Sequence, residues 1–159
     1  MKAKLTPATD AVDIRRGIDH IGVTVCFIVH DGKGNVLLQK RGQQARDERG
    51  NWDIGGGALE FGESLEEAVA REVYEELCAQ PKSIRLLEAG DAHRINHEGT
   101  PTHWIWLLHA VEVDPRDVKI GEPHKIDEIG WFTSDNLPTP QHTLFPRALK
   151  IAIAHKLIR

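Results

Sequence analysis

Three glutamates, Glu72, Glu75 and Glu76, occupy positions i, i+3 and i+4 of one short segment. On an α-helix, which turns by roughly 100° per residue, Glu72 and Glu76 would lie about 40° apart, with Glu75 about 60° to the other side. The three carboxylates would then share one face, a single turn tall. Such a face suits a hard divalent cation such as Mg²⁺, which combines a few carboxylates with water and phosphate oxygens.

The acids coincide with the predicted core-facing side of this segment. Apolar residues recur at four-residue spacing, which predicts an amphipathic helix: Leu65, Val69, Val73 and Leu77. Glu76 falls inside this apolar stripe. A carboxylate there loses hydration, and like charges beside it raise the cost, so it needs a compensating cation.

The sequence also predicts where this helix begins and ends. Ser64 followed by Glu67 is a capping-box pattern, and Pro81 requires the helix to end before it.

An acidic, solvated helix face is the competing interpretation of the glutamates. For Glu66 and Glu67 it is the better one, because acids at a helix start interact favourably with the helix dipole.

The rest of the chain predicts strands and one more helix. The segments 21–29 and 36–41 predict a hairpin, 84–95 and 102–113 two longer strands, 129–132 a short strand and 144–157 a closing amphipathic helix. This order predicts an α/β fold with a mixed β-sheet sandwiched between α-helices. We expect a single domain over residues 18–159, preceded by an N-terminal extension, residues 1–17.

Composition excludes several classes of protein. A chain of 159 residues fits one domain, and a net charge of −4 argues against binding to a nucleic acid polymer. The sequence contains no apolar stretch of membrane-spanning length, so we expect no membrane partner and a cytoplasmic location. Cys26 and Cys78 lack the spacing of a metal site and predict two buried, reduced thiols.

A glycine triplet, Gly55–Gly57, precedes the predicted helix and predicts a loop whose backbone approaches another group closely. Glu63 stands immediately before the cap, where it can reach back into this loop or across to Arg71. A glycine loop followed at fixed spacing by an acidic helix is a stronger indication of a phosphate and metal site than either feature alone.

The order Gly57, Glu63 and Arg71–Glu76 resembles the signature of the Nudix hydrolases, Gly-x5-Glu-x7-Arg-Glu-aliphatic-x-Glu-Glu-x-Gly-aliphatic. Two departures affect local backbone rather than oxygen ligands. Cys78 replaces the late glycine, at a site after the helix where a left-handed conformation is usual. Gly55 stands where a proline is common, which loosens that turn.

The resemblance implies a Nudix fold of the compact, MutT-like kind and a set of site residues. Glu72, Glu75 and Glu76, joined by the backbone carbonyl of Gly56, would be the ligands of Mg²⁺ or Mn²⁺. Glu63 and Arg71 would pair to orient the catalytic glutamates.

A further acid is expected from a loop after the signature. Glu122 is the candidate for an additional metal ligand or the general base, with an exposed loop acid as the competing interpretation. Glu98, Asp127 and Glu128 are its rivals.

The implied activity is hydrolysis of a nucleoside diphosphate linked to X, giving a nucleoside monophosphate and X-phosphate. The expected partner is a nucleotide or nucleoside diphosphate derivative, of the nucleoside triphosphate or nucleotide-sugar type. Arg41, Gly56 and Gly57 are assigned to substrate binding. A silent nucleotide-sensing module and an isoprenoid diphosphate isomerase are the alternatives, and a homodimer is a further implication of the resemblance.

Two pairs of ring-bearing residues on the predicted long strands allow other roles. Trp104 and Trp106 share one predicted sheet face, where packing in the core or a subunit interface is favoured over stacking on a base. His93 and His103 could meet across the two long strands, but we do not expect them to form a second metal site.

Overall fold

The computed structural model describes residues 13–159, so residues 1–12 of the predicted extension lie outside the described part. Its strands are β1 (Gly22–His30), β2 (Val36–Arg41), β3 (Trp52–Asp53), β4 (Gly55–Ala58), β5 (Ser83–Ile95), β6 (Pro101–Glu112) and β7 (Ile126–Phe132). Its helices are α1 (Leu65–Leu77) and α2 (Phe145–Ala154), with a short 3-10 turn at Pro115–Asp117. The domain boundary predicted at residue 17 stays a prediction.

Strand β1 lies at the centre of a mixed sheet. It runs parallel to β6 along its whole length and antiparallel to β4 on its other edge, while its last residues pair with β2. β5 continues the sheet beyond β6, and β2 also pairs with β3 and β7. The predicted hairpin and the two long strands are confirmed.

The two faces of β1 pack against different helices. Val25, Phe27 and Val29 contact the apolar face of α1, whereas Ile28 belongs to the cluster around Phe145 of α2. This alternation follows from the period of two in a strand. The sheet therefore lies between two helices, which confirms the predicted fold class. Within residues 13–159, neither helix has the length and apolar character needed to cross a membrane.

Helix α1 begins as its sequence predicts. The Ser64 hydroxyl accepts a hydrogen bond from the Glu67 amide at 3.2 Å, and the Glu67 carboxylate accepts one from the Ser64 amide at 2.7 Å. This reciprocal pair satisfies two amides that the first turn leaves without helical partners. It fixes where α1 starts and therefore the direction in which the later glutamates point.

The glycine triplet was wrongly predicted as a loop, because Gly55–Ala58 forms strand β4. The absence of side chains lets this strand lie close to β1: a Cβ placed on Gly56 would be 2.8 Å from the Val25 carbonyl oxygen. The closing helix also ends earlier than predicted, at Ala154. The chain turns there through Lys156, whose φ of 58° is incompatible with a continuing α-helix.

Helix α1 is followed by the left-handed residue that the sequence predicted. Cys78 adopts a left-handed conformation with φ 55° and ψ 14°, and its amide donates to the Tyr74 carbonyl. Both cysteines are free, but Cys78 is exposed and Cys26 only partly buried. The prediction of two buried thiols is therefore wrong, because the cap position of Cys78 directs it to the surface.

We predict that Cys78→Gly raises the free energy of unfolding by about 1 kcal/mol, because glycine adopts the left-handed conformation without a Cβ clash. In a chain of this size, that corresponds to a rise in Tm of about 2–4 °C. Urea unfolding measures the change. Cys78→Ala is the matched control, since it removes the thiol and keeps the Cβ. An equal gain in both variants would contradict the backbone explanation.

Candidate active site

Strand β4 and helix α1 form the two sides of the candidate site. A Cβ on Gly57 would overlap the Glu72 carboxylate, and one on Gly55 would lie 2.6 Å from Oε2 of Glu76. Only glycine therefore leaves room at these two positions for the carboxylates as they stand. The triplet and the acidic helix, which the signature places at fixed spacing, are in direct contact.

Glu76 is the most buried acid of this group, with only 7% of its surface exposed. Its Oε2 accepts a hydrogen bond from Nε2 of Gln39 at 3.0 Å, and its Oε1 accepts a long one from the Gly56 amide at 3.5 Å. Burial raises the pKa of Glu76 to about 8. The charges of Glu72 and Glu122 add to this rise, and the two hydrogen bonds oppose it.

Arg71 connects the other acids of the signature. Its guanidinium lies 2.7 Å from Glu63, 2.6 Å from Glu72 and 3.4 Å from Glu75, and it also donates to the Ala58 carbonyl at 3.2 Å. The predicted pairing of Arg71 with Glu63 is therefore present. Burial raises the pKa of Glu72 in spite of its pairing with Arg71. One cation faces three acids, so the cluster keeps an excess of negative charge.

Glu122 lies in a loop that is anchored on the end of α1. The Gly121 amide donates to the Glu76 carbonyl at 2.8 Å, and Nζ of Lys125 lies 2.9 Å from Glu122. The Glu122 side chain is 18% exposed. Its charge raises the pKa of both Glu72 and Glu76, as expected for a carboxylate that faces the cluster.

The three rivals of Glu122 have different surroundings. Glu98 is exposed in the turn between β5 and β6, 4.0 Å from His97. Glu128 is exposed on β7 and lies 3.8 Å from Lys40. Asp127 comes close to the backbone at residue 42, where a Cβ would be 2.8 Å from its Oδ1. The contacts of the Gly121–Lys125 loop with α1 thus favour Glu122 over these acids.

The sequence did not predict the role of Gln39. Gln39 is buried in an otherwise apolar part of β2 and holds Glu76. A lone amide inside an apolar strand is the signal that could have revealed it.

Arg41, assigned to substrate binding, is paired with Asp47 at 2.7 Å and lies 3.7 Å from Asp53. It also donates to the Asp47 carbonyl, so its visible role is to hold the loop after β2.

The residues present fit a hard divalent cation. The donors gathered here are carboxylate oxygens on α1 and at Glu122, together with the backbone of β4, and such oxygens suit Mg²⁺ or Mn²⁺. Oε1 of Gln39 is buried beside Glu76 and, within the described residues, has no hydrogen-bond partner. An unpaired buried acceptor is costly, and a water molecule on a bound ion would satisfy it.

The two tryptophans of β6 have packing roles. Trp106 contacts the core beneath α2, and the guanidinium of Arg147 lies 4.3 Å from its ring centre. Trp104 fills the space left by Gly17 and Gly22, where a Cβ would overlap its ring. This placement agrees with the interpretation of both residues as packing groups.

Comparison with known sequences gives one family. A family model described as NUDIX domain matches residues 20–152. The NAD-capped RNA hydrolase NudC of Chromobacterium violaceum is 33% identical over 103 residues, 65% of this chain and 33% of that protein. NudC of Citrobacter koseri is 28% identical over 139 residues, 83% of this chain and 48% of that protein. The chain thus spans between a third and about half of the length of these curated relatives.

Solved structures agree in fold. The MutT NUDIX hydrolase from Burkholderia pseudomallei has a TM-score of 0.72 and 28% identity, and the match covers 82% of this chain and 97% of that one. The NUDIX domain of Shewanella oneidensis NrtR, solved with ADP-ribose, has a TM-score of 0.70, covers 93% of this chain and 94% of that one, and is 18% identical. At that identity, the second likeness concerns the fold alone.

We predict that the metal-free protein loses stability as pH rises through the window set by Glu76. Its pKa is raised from 4.5 to about 8, so between these values the folded protein keeps a proton that the unfolded chain has lost. The free energy of unfolding therefore falls across this window. Urea unfolding in EDTA at several pH values measures the trend. Glu76→Gln cannot titrate and should show a weaker fall; an unchanged pH dependence would contradict the assignment.

Proposed function

The chain belongs to the NUDIX domain family, as the resemblance in its sequence predicted, and on that premise we propose that it is a metal-dependent pyrophosphohydrolase. The reaction is that of a nucleoside diphosphate linked to X with water, giving a nucleoside monophosphate and X-phosphate. The observation that carries the proposal is the buried Glu76, which lies against glycine strand β4 beside Glu72. A buried carboxylate with acidic neighbours is stabilised by a bound cation.

The ion would be held by Glu72, Glu75 and Glu76 with the carbonyl of Gly56. When bound, Mg²⁺ or Mn²⁺ neutralises charge on the diphosphate and lowers the pKa of water. The protein's own contribution is to hold the carboxylates in place beforehand. Arg71 does this for Glu72 and Glu75, while Gln39 and the Gly56 amide do it for Glu76.

Glu122 is proposed as the general base. It would accept a proton from the attacking water as the new P–O bond forms and the bridging P–O bond breaks. Its carboxylate adds a negative charge that faces Glu72 and Glu76, on a loop anchored at the end of α1, and this placement supports the role. Lys125, at 2.9 Å, restrains the side chain and would balance part of that charge.

The substrate class is proposed from the family. The curated relatives are NAD-capped RNA hydrolases, and the NrtR domain was solved with ADP-ribose. NAD and ADP-ribose both contain a nucleoside diphosphate linked to a further group. We propose a nucleoside triphosphate or nucleotide-sugar type of substrate for this chain. We also propose that the backbone of Gly56 and Gly57 contacts the diphosphate, as the sequence predicted. Contact of Arg41 with substrate, a cytoplasmic location, a homodimer and the exclusion of nucleic acid polymers stay predictions.

The second candidate is a nucleotide-binding module without turnover. The complete set of acids, all on α1 or facing it, favours the enzyme, since binding alone does not require a buried carboxylate beside an ion site. Purified protein incubated with Mg²⁺ or Mn²⁺ and a panel of triphosphates, nucleotide sugars, ADP-ribose, NAD and NAD-capped RNA decides between them. Release of a nucleoside monophosphate is the expected result, and binding without release would favour the module.

We predict that Glu76→Gln lowers kcat on the best substrate of the panel by at least about a hundredfold, because it removes a charged metal ligand while keeping the side-chain volume. Glu66→Gln is the matched control, since Glu66 is an exposed acid of the same helix. Steady-state kinetics with saturating Mn²⁺ measures both. If Glu76→Gln keeps wild-type kcat, the metal assignment is wrong.

We predict that Glu122→Gln lowers kcat by about 10²–10⁴-fold with little change in KM, as expected for loss of a general base. Glu98→Gln provides the comparison, because Glu98 is an exposed rival in a turn. A greater loss of kcat in Glu98→Gln than in Glu122→Gln would indicate that Glu98 is the general base.

A further inference from the structure

Two histidines and an aspartate meet on the outer strands of the sheet. His93 of β5 and His103 of β6 are direct partners in the antiparallel register, and their rings stack with centres 4.1 Å apart. Asp91 lies two residues before His93, on the same face of β5. Its Oδ2 is 2.8 Å from Nε2 of His93, and one ligand atom from each of the three residues lies within 4.8 Å of the others.

We propose that Asp91, His93 and His103 form a second metal site, which takes a divalent transition metal ion of the Zn²⁺ class. Two imidazoles and one carboxylate are a donor set that suits zinc, whereas Mg²⁺ prefers oxygen donors and retains water. The site is built on β5 and β6 and shares no residue with the carboxylates of α1. It is therefore distinct in position and in chemistry from the proposed catalytic ion.

The backbone brings the three ligands near one another before any ion arrives. β5 and β6 are paired from Ser83 and Glu112 to Ile95 and Pro101, so the separation between His93 and His103 is set by the ladder. A metal ion bonded at about 2 Å to each ligand needs the donor atoms somewhat closer than 4.8 Å. We expect rotation of the two rings and the carboxylate to bring the donor atoms closer while both strands stay in place.

The site is also open to an incoming ion. The Asp91 and His93 side chains are 58% and 67% exposed, because β5 is the last strand of the sheet on this side. His93 and His103 line a cleft of about 530 Å³ whose other wall is the segment 17–21. Three protein ligands leave a fourth position for water or an anion from this cleft, as in open zinc sites.

The sequence did not predict this site because only His93 and His103 were expected to meet across the strands, and two imidazoles alone are a weak basis for a metal site. The structure adds Asp91, which hydrogen bonds to His93 and brings a negative charge to the pair. That charge offsets part of the charge of a divalent ion, which the two neutral imidazoles cannot do.

Isothermal titration of tag-free protein with ZnCl₂ tests the proposal. In Glu76→Gln, where the carboxylate site is impaired, one equivalent of Zn²⁺ should still bind. His103→Ala in that background should weaken this binding by at least about tenfold, and His93→Gln should do the same with a side chain of similar size. His97→Ala is the matched control, because His97 is a comparably exposed histidine in the adjoining turn. MgCl₂ should not compete for this equivalent.

Three results would overturn the proposal. Zinc binding that disappears in Glu76→Gln and persists in His103→Ala would place the ion on α1. An equal loss in His97→Ala would indicate unspecific binding to surface imidazoles. No binding of Zn²⁺ to any variant, with circular dichroism showing that each is folded, would mean that the three side chains form only a surface ion pair.

Discussion

The burial of one carboxylate governs the architecture of the candidate active site. Glu76 occupies a place in the core-facing stripe of α1 where an apolar residue would normally lie, and it is 7% exposed. Desolvation of an ionised carboxylate is costly without a partner, so the surrounding elements must either keep it protonated or supply a cation. The glycines of β4, the Gln39 amide and the loop at Glu122 all contact or face this one group.

The acids of the site are held by two different kinds of partner. Arg71 pairs with Glu63, Glu72 and Glu75, whereas Glu76 has no arginine partner and relies on two neutral donors. Neutral donors orient a carboxylate without cancelling its charge. The buried end of the cluster therefore retains the attraction for a cation that a direct ion pair with arginine would have removed.

The sequence predicted the features that depend on local spacing. The cap at Ser64, the apolar stripe and the burial of Glu76 follow from the helical period, and the structure confirms each of them. The features that the sequence could not predict depend on contacts between distant segments. β4 is a strand because β1 offers it an edge, and Arg41 is occupied by Asp47 because the following loop folds back over β2. Neither partner is indicated by spacing along the chain.

The same difference between local spacing and long-range contacts explains why only one of the two proposed ion sites could be predicted from the sequence. Glu72, Glu75 and Glu76 lie within two turns of one helix, so their convergence can be derived from its geometry alone. His93 and His103 converge only if β5 and β6 pair in one particular register, and a shift of one residue would send one ring to the opposite face. The irregularity between Leu86 and Glu88 contributes to that register, and it leaves no clear pattern in the sequence. A site assembled across strands therefore has to be found in the structure, whereas a site on a helix can be read from its spacing.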